Sequence, residues 1–275
     1  MSRRFLPVLL VAVAACGSHA PSRTLEYYFT ADPRSLDPAL STDVPSGEVV
    51  TLLFDNLTRF DVDGHLVPDL ARSWDVDPTG ITYTFHLRPG VRFHDGRPLT
   101  ALDVAASFRR ALAPATSGGR GWPLYPIAGA AAFAAGRTPD IGGLTTPDDS
   151  TVVLALERPL NVFPKLLAMP VAAVVPAALP AGDFGQHPIG SGPWRFVSWS
   201  HDDQIVVAKN PDYWGGPPAS DTLRIRIIPE ALTQAAEYES GRLSVVEVPF
   251  GETAHRPLHR RKWPDHPPQH NKQGI

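Results

Sequence analysis

Residues 66–108, LVPDLARSWDVDPTGITYTFHLRPGVRFHDGRPLTALDVAASF, constrain the fold more than any other stretch of the chain. Tyr83, Phe85 and Leu87 alternate with Thr82, Thr84, His86 and Arg88, the period of a strand with one buried face. Arg88-Pro89-Gly90 breaks that run with a turn. Val91 and Phe93 read as a second short strand, closed by His94-Asp95-Gly96, where glycine is free to take positive φ. Thr100 is placed to cap a helix, with Asp103 three residues on to complete a capping box. Leu102, Ala105, Phe108 and Leu112 then recur at helical spacing.

The rest of the chain fits an α+β protein. Of its 275 residues 43% are hydrophobic and 19% charged, ample for a packed core. The 30 prolines are about twice the usual share and fall between elements, which argues for many short elements rather than a long-helix bundle. Net charge is −3 and the body has no long basic run, so nucleic-acid binding has no electrostatic footprint.

Cys16 is the single cysteine, which rules out an internal disulfide. Arg3-Arg4 is a charged start, residues 5–13 are apolar, and Val13-Ala14-Ala15-Cys16 fits a lipobox. The apolar run of about eleven residues is short of the roughly 20 that span a bilayer. The expectation is a signal peptide over 1–15, lipid attachment at Cys16, and a tether over 16–23. A plain secretory signal or a short buried helix are the competing readings.

In chain order, LEYYF over 25–29 is a first strand, followed by a turn-rich stretch containing Leu36-Asp37-Pro38. Ser46 is expected to cap a helix over 48–56 whose apolar side is Val49, Val50, Leu52, Leu53 and Leu57. Phe60 to Gly64 is a hairpin turn; Asp61 and Asp63 hint at a Ca²⁺ loop, but the later acidic ligand is missing, so they read as turn residues. Residues 114–143 look like a loose connector with a short helix at 128–135. Strands are expected at 151–156, 171–175, 194–197, 205–209, 222–228 and 243–248. Helices are expected near 163–167 and at 231–240, the latter stopped by Gly241. Tyr213 and Trp214 read as packing aromatics. The tail 251–275 has four histidines, four prolines and hardly any aliphatic residues, so it cannot fold by itself. His255/His259 and His266/His270 are spaced for one helix face, but Pro257, Pro264, Pro267 and Pro268 oppose such helices.

Catalytic signatures are missing. G-x-S-x-G, H-E-x-x-H, GxxxxGK[ST] and paired-cysteine motifs do not occur. Ser191 lies between Gly190 and Gly192, which is the wrong spacing for a nucleophile elbow. The chain is therefore read as a non-enzyme, with no metal and no cofactor.

Residues 66–109 resemble, almost without gaps, a block of solute-binding protein family 5, the extracytoplasmic peptide- or nickel-binding lipoproteins of ABC importers. Residues 188–216, PIGSGPWRFVSWSHDDQIVVAKNPDYWGG, resemble a second family block, departing from it at Ser191 and Trp194; Ser244 stands where members usually have Asp. The resemblance implies a type II periplasmic-binding-protein-like fold with mixed sheets. Lobe I would comprise 24–60 and 186–250, with an inserted subdomain over 61–185. It implies ligand contacts near Ala31, Asp32, Leu36 and Asp37, and at Gly192 and Trp194. Implied partners are a peptide or other small solute, the ABC permease subunits, and the membrane through a lipid anchor, with the receptor itself a monomer. The resemblance ends near Phe250, so a truncated or frameshifted form without the second lobe, binding peptide weakly or not at all, is the expectation. A shortened lipoprotein acting as an interaction module is the alternative.

Overall fold

Two four-stranded sheets, each with its own hydrophobic core, make up the structure, a computed structural model that describes residues 23–116, 120–180 and 182–247. The first sheet has the order β1 (Thr24–Phe29), β10 (Thr222–Ile227), β9 (Gln204–Lys209), β8 (Trp194–Ser200). β1 runs parallel to β10, and the other pairs are antiparallel. This pairing joins the beginning of the chain to its last third, a contact that local pattern does not announce. Leu223 and Ile225 of β10 and Ile205 and Val207 of β9 are buried, while Arg224 and Arg226 point away to Glu26 and Glu237. Their period of two is what a half-buried strand requires. β8 carries a bulge between Phe196 and Ser198, which leaves Val197 exposed.

The second sheet is antiparallel, with the order β4 (Ala71–Val76), β5 (Thr82–Leu87), β7 (Thr151–Ala155), β6 (Leu144–Asp148). A small hairpin, β2 (Thr58–Phe60) and β3 (Leu66–Pro68), leads into it, turning at Gly64 with φ of 79°. Tyr83, Phe85 and Leu87 are buried as the alternation requires. Helix α2 (Ala101–Leu112) covers β6 and β7. Its Phe108 is fully buried, a side chain whose removal from water contributes roughly 2–3 kcal/mol. The Asp103 carboxylate accepts from the Thr100 amide at 2.8 Å and from its hydroxyl at 3.1 Å, as the capping-box reading expects.

Five local expectations are corrected. Helix α1 spans Val44–Leu53, not 48–56, and its cap is Asp43, which accepts from the Ser46 amide at 2.9 Å. Ser46 lies inside the helix, where its buried hydroxyl accepts from the amides of Arg34 and Ser35. Leu102 is 59% exposed, because the buried face of α2 runs through Ala101, Val104, Ala105 and Phe108 instead. Val91 and Phe93 are buried, but only the single bridge Arg92–Pro98 forms there, since Pro98 has no amide to extend a ladder. Residues 171–175 are a 3₁₀ turn at Pro170–Ala172 followed by buried extended chain without a strand partner; the Val174 amide goes to the Asp55 carbonyl and the Val175 amide to Ser107 Oγ. Finally, 243–247 form no strand: Ser244 meets the edge of β1 with one amide and its hydroxyl, both on Glu26.

The two family-like blocks grip each other where the cores meet. The His94 amide donates to the Gly190 carbonyl at 2.7 Å, His94 Nδ1 accepts from the Gly190 amide at 3.3 Å, and Nε2 donates to the Gly192 carbonyl at 3.0 Å. Gly190 and Gly192 lie against the backbone at the end of α1. A Cβ would stand 1.9 Å from the Leu53 carbonyl oxygen at Gly190 and 2.7 Å from the Leu53 carbonyl carbon at Gly192, so only glycine fits. Beside them the buried Asp55 carboxylate accepts from Ser191 Oγ at 2.8 Å, Tyr213 OH at 3.1 Å and Trp214 Nε1 at 3.3 Å. Burial pushes the Asp55 carboxyl up despite these donors. Asp69 is pushed up to about 7, first by burial and then by the charge of Asp55.

Candidate functional site

Helix α1 has two faces. Val49, Val50 and Leu53 are buried in the core of the first sheet, and Ser46 is buried against the loop at residues 34–35. Val44, Gly47, Glu48 and Thr51, at i, i+3, i+4 and i+7, share the opposite face. That second face lines an open cavity of about 440 Å³, whose other wall is Arg120, Trp122, Met169, Pro170 and Val171. Val44 and Glu48 also border a second cavity of about 390 Å³ on the β1 side, with Tyr27, Tyr28, Phe29, Thr30 and Glu247. Together they form a groove divided by the Val44 ridge. Val44 is 73% and Trp122 49% exposed, so the groove offers apolar surface to an occupant.

The groove's polar lining includes Asp43, Glu48, Thr51 and Arg120 in one cavity and Tyr27, Tyr28, Gln234 and Glu247 in the other. Burial pushes the Glu48 carboxyl up. The Tyr27 hydroxyl is raised by burial first and then by the negative charge of Glu48.

The residues expected at the site separate into two groups. Ala31 is exposed just beyond β1, next to Thr30 of the groove. Asp32 is half-buried and held in place: one carboxylate oxygen accepts from Trp199 Nε1 at 2.9 Å, the other pairs with His201 Nδ1 at 2.8 Å. Leu36 is fully buried in the first core, and Trp194 nearly so. Asp37 is buried, with its carboxylate gripped by both terminal nitrogens of Arg110, one at 2.7 Å. Gly192 is packed on α1. These last four residues face protein and carry the frame on which the groove is built. Arg120, Trp122, Glu48 and Tyr27 were missed by sequence reasoning; Trp122 lies in the Gly/Pro-rich connector, where its bulk between Gly121 and Pro123 was the only signal.

Asp61, Asp63 and His65 bring ligand atoms within 4.8 Å of one another at the β2–β3 turn. The Asp61 carboxylate already accepts from the Asp63 and His65 amides at 3.0 and 2.8 Å, as a tight turn requires. Cys16 and the histidines of 251–275 lie outside the described residues. No helix among the described residues is long and apolar enough to cross a membrane.

A mixed α/β frame with an open, largely apolar groove and a few polar groups has the character of a solute-binding protein. Residues 65–260 match the family described as bacterial extracellular solute-binding proteins, family 5 middle, and the chain belongs to that family. It is 34% identical over 221 residues to the glutathione-binding protein GsiB of Pectobacterium atrosepticum, covering 78% of this chain and 40% of that protein. It is 32% identical over 270 residues to di/tripeptide-binding protein 4 of Pseudomonas aeruginosa, covering 92% of this chain and 50% of that protein. Among solved structures, the Escherichia coli murein tripeptide-binding protein MppA superposes with a TM-score of 0.77 at 28% identity, over 82% of this chain and 45% of the other. Helicobacter pylori DppA in complex with the peptide STSA gives 0.69 at 30% identity, over 82% and 46%. The chain thus spans about half the length of the curated relatives it matches.

Proposed function

We propose that this chain is a solute-binding component of a peptide-type ABC importer, working outside the cytoplasm, with no enzymatic activity of its own. The observation that carries this reading is the groove on the free face of α1, with its apolar Val44 and Trp122 walls. The family, together with relatives such as the di/tripeptide-binding protein of Pseudomonas aeruginosa and Helicobacter pylori DppA in complex with a peptide, supports a short peptide as solute. In the same reading, 24–60 and 186–250 form one lobe and 61–185 an inserted subdomain. The separate sheets and cores support this division, although β2 and β3 pair across residue 60. Ala31 and Asp32 contact the solute at the groove rim. Cys16 takes the lipid that holds the chain at a membrane surface, and the permease subunits are its protein partners.

The groove is open on its solvent side, so closure by a second surface is what would exclude water and strengthen the polar contacts. This chain by itself therefore binds di- to pentapeptides with dissociation constants of about a millimolar, as an open half-site without preorganised walls allows. Titration of the full chain with such peptides, followed by NMR shifts and by tryptophan fluorescence compared between wild type and Trp122→Phe, tests this. Shifts confined to the second sheet, away from α1, would remove the groove as the site. For the anchor, Cys16→Ala is expected to release the protein from the membrane fraction of expressing cells.

A further inference from the structure

We infer that Asp55 and Asp69 form a proton-dependent latch at the junction of the two sheets, closed while the pair holds one proton and loosened when that proton leaves. Asp55 lies just beyond α1, which packs on the first sheet, and Asp69 lies just before β4 of the second. Both are buried, but their partners differ. Asp55 accepts from Ser191, Tyr213 and Trp214, a set of donors that suits the ionised form. Asp69 has Oδ2 on the Asn56 amide at 2.9 Å, while its buried Oδ1 accepts no hydrogen bond among the described residues. The nearby cations do not fill that place. Arg59 Nε stands 3.5 Å from Oδ1 on a side chain that is 52% exposed, where water weakens the pair. Arg88 donates Nε to the Asp69 backbone carbonyl at 2.6 Å, and its guanidinium lies over the Trp214 ring at 4.3 Å. The Tyr213 hydroxyl is spent on Asp55; burial and the two acids push it up, so it remains a donor. A buried oxygen without a donor, beside a second carboxylate, cannot carry full negative charge at low cost. The proton of the pair therefore rests on Asp69.

The latch reaches the groove wall, whatever solute the groove takes. Asn56, whose amide is on Asp69, donates Nδ2 to the carbonyls of Leu167 and Met169, both at 2.8 Å, and the Asp55 carbonyl accepts from the Val174 amide at 3.0 Å. Met169 and Val171 line the cavity beside α1. When Asp69 ionises, two negative charges face each other at the junction and repel in a medium that screens them poorly. Segment 167–174 loosens with them. In the closed junction Asp69 gives up its proton at about pH 7; opened to water, it does so near 3.8. Opening is thus suppressed in acid, grows by up to about tenfold per pH unit between about 4 and 7, and levels off above 7. His94, on the other side of the 190–192 loop, is pushed down by burial and titrates in the opposite sense over part of this range.

The test is amide hydrogen exchange of the full chain, read by NMR between pH 4 and 8 and corrected for intrinsic rates, in wild type and Asp69→Asn. The variant keeps His94 and removes the titrating carboxyl, so the ratio of the two profiles isolates Asp69. For the junction amides of Asn56, Val174 and Gly192, the wild-type to variant ratio of opening is expected to rise from pH 4 to 7 and then stay level. Amides of β5 and β9 report global unfolding and are expected to change less. A junction ratio independent of pH overturns the latch. An equal change in β5 and β9 overturns it as well, because the acid then acts on the whole fold. Carboxyl ¹³C titration of the wild type needs no folded variant: Asp69 is expected to titrate near 7, and titration near 3.8 overturns the latch.

Discussion

His94 shows how one side chain can join two halves of a fold. Its Nδ1 accepts from Gly190 and its Nε2 donates to Gly192, an arrangement that only the neutral ring satisfies. Burial is the main reason that its pKa is lowered to about 4. The unfolded chain takes up a proton near pH 6.5, which the folded chain refuses until about pH 4. The stability that His94 contributes is therefore complete above pH 6.5 and lost as pH falls through that window, by about 3 kcal/mol. Asp69 works in the opposite sense: its pKa is raised to about 7, so its contribution is present at low pH and lost as pH rises through 7. The two slopes partly cancel in the wild type, so a variant must separate them. Urea unfolding of His94→Gln between pH 7 and 4 is expected to lack the acid-side loss. Parallel pH profiles for variant and wild type would contradict this account of the ring.

At the scale of an element, α1 is both a core helix and the floor of the groove. Its position depends on Asp43, whose two oxygens accept from the Ser46 amide and hydroxyl at 2.9 and 2.8 Å, while Ser46 in turn holds the amides of residues 34 and 35. Asp43→Ala is expected to cost about 1–2 kcal/mol in chemical unfolding, the usual worth of an N-cap. Leu102→Gln on α2, an exposed site despite its helical spacing, is expected to stay within about 0.5 kcal/mol of wild type. Equal losses for the two variants would show that the cap is misassigned. The pattern of α1 was legible as helix, but its start was not: Ser46 has cap chemistry, yet in the fold its hydroxyl is taken by the amides of residues 34 and 35, and Asp43 three residues earlier caps the helix.

At the scale of the whole molecule, the cores of the two sheets are joined by more than one bond among the described residues. Ile189 packs on both clusters, and Val174 and Val175 bond to Asp55 and to Ser107 of α2. The His94 clasp and the Asp55 cluster add polar joints that lose their partners if either sheet leaves. One cooperative thermal transition is expected, with tryptophan fluorescence and far-UV circular dichroism changing together. Two separated transitions would mean that the sheets are independent folding units.

Much of this protein was readable from residue order. Alternation in 82–87 and 222–227 placed strands with their buried faces. Thr100 and Asp103 placed the start of α2, and two spaced blocks identified the family. These features are local, because strand period, capping and turn chemistry act over a few residues. The parallel pairing of β1 with β10 was beyond such reasoning, as were the grip of His94 on the 190–192 loop and the burial of Asp37 under Arg110. The groove was beyond it as well: Tyr27, Glu48, Trp122 and Glu247 come from four separate stretches. Tertiary packing alone decides which face of α1 remains free, because burial belongs to the fold and not to the segment.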